Sequence, residues 1–320
     1  MKKLWPDLKY EDWKDTYHTL HRYLQVIGKL RIYKSPWLNH SWHATYYVNS
    51  RGLTTSAIPL EDRNLTIQFD FHHHEVIFED SRGRSHSIPL QSQTVAAFYE
   101  KFLDALSIME VSGYINDYPV ECMDNVPFSE DEIRKSYNPE QVQNFFQVLV
   151  LVNNVFEKFR SEFIGKTSPS HLFWGSFDLA VTRFSGKKAP EHPGIAPHVS
   201  PIVMKEAYSH EVCSVGFWPG SEAYPHTIFY SYAYPEPEGF RESVIENAFY
   251  NEKMGEFMLH YDDVQKSDYP ENTLMNFLQS SYQKVSELGD WKIEKLEENS
   301  FLYQLSKKYQ NKTNNNFQRH

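Results

Sequence analysis

Cysteine is scarce: the 320 residues hold two, Cys122 and Cys213. Two scattered thiols make neither a disulfide framework nor a cysteine-based metal motif, and both are expected as small buried apolar residues. Long apolar runs are missing too. The longest, near residues 148–152, is far short of the roughly 20 residues that cross a bilayer. The opening Met1-Lys2-Lys3-Leu4-Trp5-Pro6-Asp7 turns polar without the apolar core of a signal peptide. A cytoplasmic protein with no membrane partner is therefore expected, and triplets such as Asn39-His40-Ser41 then carry no glycan. Positive charge is in deficit, with 32 Lys and Arg against 42 Asp and Glu, a net charge of −10. Nucleic-acid binding needs clustered cations for phosphate contacts, so no nucleic-acid partner is expected. The chain also has no phosphate-loop or dinucleotide-binding spacing, no HExxH and no G-x-S-x-G. No cofactor and no metal ligand are assigned.

Aromatic residues are abundant: 22 Phe, 21 Tyr and 7 Trp, 16% of the chain. A chain of this size buries about three quarters of its extended surface on folding, ample for one large core or two medium ones. Trp13, Tyr17, Leu20, Leu24 and Ile27 recur at steps of three and four, which predicts a helix over residues 11–30 with Gly28 as its stop. Strands are predicted over 42–48 and 65–71. In the second, Leu65, Ile67, Phe69 and Phe71 alternate with polar residues. His72-His73-His74 marks a solvated hairpin turn rather than a metal site. A helix over 92–109 with Ser92 as N-cap, an irregular stretch over 113–138 and a strong helix over 140–163 follow. Strands are predicted over 172–184, 211–217 and 227–234, a long loop over 185–201 and a last helix over 272–288.

The two halves echo each other. His40 and Trp42 match His171 and Trp174, and each Trp is followed nine residues later by an arginine, Arg51 and Arg183. Chance in an aromatic-rich chain is one reading and duplication the other. Consecutive strands between helices predict an α+β class. The expected architecture is two pseudo-repeated lobes, each helix, antiparallel strands, helix, packed together. The N-terminal lobe spans 1–115, a linker 116–139 and the C-terminal lobe 140–296. A polar tail, expected to be disordered, spans 297–320.

The run His171-Leu172-Phe173-Trp174-Gly175-Ser176-Phe177-Asp178-Leu179-Ala180-Val181-Thr182-Arg183-Phe184-Ser185-Gly186 resembles the signature of the domain-of-unknown-function family DUF5996. Glu206 to Glu211, Gly216 to Gly220, Tyr232 to Pro237, Asn39 to His43 and Gly52 to Ser56 fit it as well. The resemblance covers residues 8–292. It implies a mostly bacterial family and a complete, unfused protein, and it supplies no substrate, fold or catalytic residue.

Chemistry has to be sought in the residues themselves. Imidazoles and carboxylates that shuttle protons near neutral pH are His171, Asp178, His210, Glu211 and the outer carboxylate Asp262, with Arg183 as an ionic partner. On a strand, Asp178 shares a face with Trp174, Ser176 and Ala180. An Asp in such an apolar run needs a partner, and Arg183 or a histidine is the natural one. Trp174, Tyr208, Trp218, Tyr232 and Tyr234, with His40, form an aromatic set able to stack on a ligand and hydrogen-bond it. Three readings stay open: a general acid–base, hydrolase-like enzyme on a small polar molecule, a non-catalytic module for a sugar-like or heterocyclic ligand, and a structural or interaction protein. Whether the protein is an enzyme, and its oligomeric state, are left open.

Overall fold

A computed structural model describes residues 5–122, 124–194 and 199–297, and the expected tail beyond 297 lies outside them. Helix α1 (Tyr10–Lys34) carries Glu11 and Asp12 in its first turn and Arg31 and Lys34 in its last, matching the helix dipole at both ends. The stripe from Trp13 to Ile27 is buried, but so are Thr16, Tyr23, Val26 and Leu30. α1 is therefore enclosed on most sides, and it touches structure from both halves of the chain. The helix runs straight through Gly28, where a stop was expected. A Cβ there would stand 2.5 Å from the Trp174 indole, so this glycine is explained by close packing.

After α1 a 3-10 segment, Asn39–Ala44, replaces the first three residues of the strand expected over 42–48, and strand pairing begins only at Tyr46. His40 and Ser41 sit there in left-handed backbone conformations (φ 58° and 57°). Strands β1 (Tyr47–Val48), β2 (Gly52–Pro59), β3 (Asn64–Asp70), β4 (Glu75–Asp80) and β5 (Ser85–Pro89) form an antiparallel meander in chain order. Its buried face, including Leu53, Ile67, Phe69 and Phe78, packs on α1 and α2 (Val95–Ile108). The N-cap of α2 is Thr94, whose hydroxyl accepts from the Ala97 N–H, two residues later than the serine expected.

The irregular stretch leads to α3 (Pro139–Ser161), capped by Asn138, whose side chain accepts from the N–H groups of Glu140 and Gln141. Then come β6 (His171–Phe173), β7 (Asp178–Lys188), α4 (Pro201–Ala207), β8 (His210–Trp218), β9 (Ile228–Tyr234), β10 (Phe249–Asn251), β11 (Glu256–His260), α5 (Tyr261–Lys266) and α6 (Pro270–Leu288). The second sheet is antiparallel, in the order β10-β11-β9-β8-β7-β6. The fold is thus mixed α+β with a five-stranded and a six-stranded antiparallel sheet. Tyr46 and Leu172 exchange two backbone hydrogen bonds (2.9 and 2.8 Å) and so join the two sheets at their edges. Where the sequence echo is strongest the local structures differ: Trp42 lies in the 3-10 segment and Trp174 in a turn between two strands.

The turn at residues 174–177 interrupts what reads in sequence as one strand. Phe177 there is left-handed (φ 62°), a conformation costing of order 1–3 kcal/mol for a bulky residue. It is wholly buried against Phe145, Tyr17 and His21, which hold it in place. Strand parity then divides the second sheet. Leu179, Val181, Arg183, Cys213, Val215 and Phe229 face the helix side, where α3 and α6 pack. Asp178, Ala180, Thr182, Ser214, Tyr230 and Tyr232 face the other side, which forms one wall of a cleft.

Candidate functional site

The cleft is bounded by the second sheet, by the 3-10 segment and by α4 with Tyr208. A hollow of about 420 Å³ lies between them, and a neighbouring one of about 630 Å³ extends past Trp218 to the start of β11. The two share Glu121, Ser176, Asp178, Val199, Tyr230 and Tyr232 along their walls. Both volumes suit a small organic molecule.

The sheet register sets the floor. Ala180, Gly216 and Tyr230 stand in one cross-strand row, and Thr182, Ser214 and Tyr232 in the next. A Cβ on Gly216 would come within 2.1 Å of the Tyr230 ring, so the glycine lets that ring lie across β8. The Tyr230 hydroxyl thereby reaches Asp178 and donates to Oδ2, while the Ser176 hydroxyl donates to Oδ1. Burial raises the Asp178 pKa, and these two donors oppose the rise. Tyr232 and Tyr208 pair through their hydroxyls at 2.9 Å.

Two further carboxyls enter the same space from distant parts of the chain. Glu121, in the irregular stretch, has its carboxyl over Gly175, where a Cβ would stand 2.1 Å from Oε1. Glu121 is an exposed residue, and it lines both hollows of the cleft and a third beside Arg22 and Arg134. Neighbouring chain atoms, with Asp178 close by, push its pKa upward. Glu256 opens β11 and is pushed up to about 8, by desolvation first and Asp178 second. Among the described residues no Lys, Arg or His forms an ion pair with Asp178, Glu121 or Glu256. His21 lies beside them but is neutral. Its Nε2 contacts the carbonyls of Trp174 and Gly175 at 2.9 and 3.0 Å, and burial pulls its pKa down to about 3.

The opposite wall is pinned by His40. Its backbone N–H donates to Glu206 Oε2 at 2.7 Å, and its Nδ1–H donates to the Ala207 carbonyl at 2.8 Å. Its Nε2 accepts from the Lys166 ammonium at 2.7 Å, which fixes the neutral tautomer. Burial lowers its pKa, consistent with that state. His40 thus ties the 3-10 segment to α4. Trp174 packs against Gly28, and its indole N–H donates to the Ala44 carbonyl.

The structure brings Asp178, Trp174, Tyr208, Trp218, Tyr232 and His40 together on this cleft. The other residues singled out from the sequence lie elsewhere. Arg183 is on the helix side, its guanidinium over the rings of Phe159 (3.4 Å) and Tyr282 (4.3 Å) and donating to the Phe159 carbonyl, so hydroxyls and not this arginine satisfy Asp178. His171 is wholly buried beside Trp42 and Phe173, with both ring nitrogens unpartnered and its pKa pulled down to about 3 by burial. His210 contacts the Ser209 hydroxyl (3.0 Å), and Glu211 accepts from the Ser185 hydroxyl (2.7 Å). Asp262 is on the surface, paired with Lys266 at 2.7 Å. The Tyr234 hydroxyl donates to the Pro190 carbonyl at 3.1 Å, outside both hollows. Sequence reasoning placed Ser176 on the face of Asp178 without giving it a role, and passed over Glu121, Glu256 and Lys29. Of these three only Lys29, a cation between Ile27 and Leu30, left a visible signal.

Asp70, His73 and Glu75 place one ligand atom each within 4.8 Å of one another. Asp70 already accepts from Arg51 and from the backbone N–H groups of His72 and His73, so its oxygens tie down a turn.

The chain matches the model of the family of unknown function DUF5996 over residues 5–298, and it belongs to that family. No curated protein and no solved structure matches it.

Proposed function

We propose that this DUF5996 protein binds a small polar molecule in the cleft and exchanges protons with it through the carboxyl groups of Asp178, Glu121 and Glu256. The observation that carries the reading is the convergence of these three acids, from the irregular stretch, β7 and β11, on one space with no cation paired to them. A carboxyl held near pH 8, as at Glu256, with the pKa values of Glu121 and Asp178 also raised, is matched to general acid–base work near neutral pH, because such groups can both give and accept a proton there. Trp174, Trp218, Tyr208, Tyr230 and Tyr232 supply flat faces and hydroxyls to seat an aromatic, heterocyclic or sugar-like body.

The test is a thermal-shift screen of polar amines, heterocycles and sugars against the wild type and Asp178→Asn, followed by turnover assays on the binders. A compound at 100 times its dissociation constant raises stability by about 2.7 kcal/mol. Binders are expected to stabilise the wild type and to lose most of that effect in Asp178→Asn. Compounds that stabilise both proteins equally place the ligand elsewhere and refute the reading. The second reading, a non-catalytic module, is favoured by the Tyr208–Tyr232 hydroxyl pair. It stands if a cleft ligand binds with no turnover and no dependence on pH between 6 and 9.

A further inference from the structure

We propose that Lys29 is a nucleophilic amine that condenses with the carbonyl group of a small aldehyde or ketone entering the cleft, forming an imine. The proposal rests on the cleft's admitting small molecules.

Lys29 is 9% exposed. Arg22, Gln25 and Lys29 lie on successive turns of one face of α1. Arg22 pairs with Asp124 at 3.0 Å, and Gln25 donates to the Val120 carbonyl and accepts from its N–H, both at 2.9 Å. These two tie down Val120 and Asp124. One turn further on, Lys29 has no hydrogen bond and no ion pair among the described residues, and it lines the cleft with Ile32, Trp37, Trp42 and Val120. A buried ammonium without a partner is costly, so lysines in such places are usually paired. Here the surroundings favour the free amine, and burial lowers the pKa to about 8. Desolvation of this kind is how lysine becomes a nucleophile at neutral pH.

The charge of the cleft decides what the amine meets. An anionic ligand bound by Lys29 would face Glu121 and Asp178 in the same hollow. A neutral carbonyl compound faces no such repulsion, and those carboxyls supply the protons that condensation needs. The Nζ lone pair adds to the carbonyl carbon; the oxygen takes a proton from a cleft carboxyl and the nitrogen gives one to a cleft carboxylate, which leaves a neutral carbinolamine. A second protonation releases that hydroxyl as water, and the remaining N–H proton returns to a carboxylate. The balance is amine plus carbonyl to imine plus water, with no change of oxidation state.

The test treats the full chain with propanal and sodium cyanoborohydride at pH 7 and maps the propyl groups by peptide mass spectrometry. At this pH a lysine of pKa about 8 holds far more free amine than an ordinary one, partly offset by its lower basicity. Lys29 is therefore expected to be alkylated about tenfold faster than the exposed Lys253, and the fast site is lost in Lys29→Arg and in Lys29→Met. Labelling spread over surface lysines with Lys29 untouched overturns the proposal, whatever the variants do. Potassium cyanate, a small amine reagent, separates the two failures. Carbamylation of Lys29 without trapped imine refutes the condensation and leaves the pocket standing. Failure of both reagents at Lys29 shows that the cleft does not admit small molecules to this amine and removes both readings.

Discussion

Gly216→Ala is the most direct perturbation of the cleft floor. The added methyl would stand 2.1 Å from Tyr230 Cζ and 2.2 Å from its hydroxyl oxygen, so the ring must move. Tyr230 is buried between β8 and β11, and overpacking of this kind costs about 1–3 kcal/mol. A displaced ring withdraws one of the two donors from Asp178, and an unsatisfied buried acceptor costs about 1–3 kcal/mol more. Against this, losing a glycine from the unfolded chain returns about 0.4–1 kcal/mol. The net loss is about 2–5 kcal/mol. For a chain of this size, at about 2 °C per kcal/mol, the melting temperature should fall by about 4–10 °C. The assay is a double-mutant cycle by urea unfolding with Tyr230→Leu, which removes the far end of the ring. If the clash is the cause, Gly216→Ala costs little in the Tyr230→Leu background. An equal cost in both backgrounds, or a Gly216→Ala protein as stable as the wild type, refutes the reasoning.

The Glu256 carboxyl has a folded pKa of about 8 against the ordinary 4.5 of a free glutamate. Its neutral form is favoured on folding, so its contribution is fully present below about pH 4.5 and is lost as pH rises to about 8. At 1.36 kcal/mol per unit the ceiling is about 5 kcal/mol, and water in the cleft reduces it to about 1–2 kcal/mol. Glu256→Gln should therefore match the wild type near pH 4 and exceed its stability by that amount at pH 9, read by urea unfolding across the range; parallel curves would show an ordinary surface acid. His40→Ala should release α4 from the 3-10 segment at a cost of about 1–3 kcal/mol for the groups left unpaired. Hydrogen exchange should then speed up over residues 201–207 but not in α6, and uniform acceleration would count against a local pin.

Much of the fold follows from periodicity. The α1 stripe at steps of three and four, the alternation from Leu65 to Phe71 and the apolar face of α3 each state their element plainly. The departures have local physical causes. Gly28 reads as a helix stop because its packing partner, Trp174, is 146 positions away. The start of the strand expected over 42–48 gives way to a 3-10 segment whose left-handed residues, His40 and Ser41, carry no glycine to announce them. The break at 174–177 is equally silent, because Phe177 takes a left-handed conformation held by tertiary packing. The cleft is hardest to read for the same reason. Asp178 stands out in an apolar run, whereas nothing in the sequence marks Glu121 in an irregular stretch or Glu256 at a strand start, and only the fold brings them beside Asp178.

The proposed role of the cleft draws support from the two faces of β7. On its helix side the buried charge of Arg183 is absorbed by Phe159, Tyr282 and a backbone carbonyl, and it ties α3 to the sheet and α6. On its other side the carboxyl of Asp178 has two hydroxyls, and the two further acids near it have no cation. Both arrangements bury charge at a cost, but only the first uses it to join elements. A fold needing only stability would do as well with apolar residues of similar volume at 178 and 256, since such exchanges are often neutral or stabilising. Under the proposed reading, a bound molecule, or a proton passing to it, answers the acids on the cleft side of the strand.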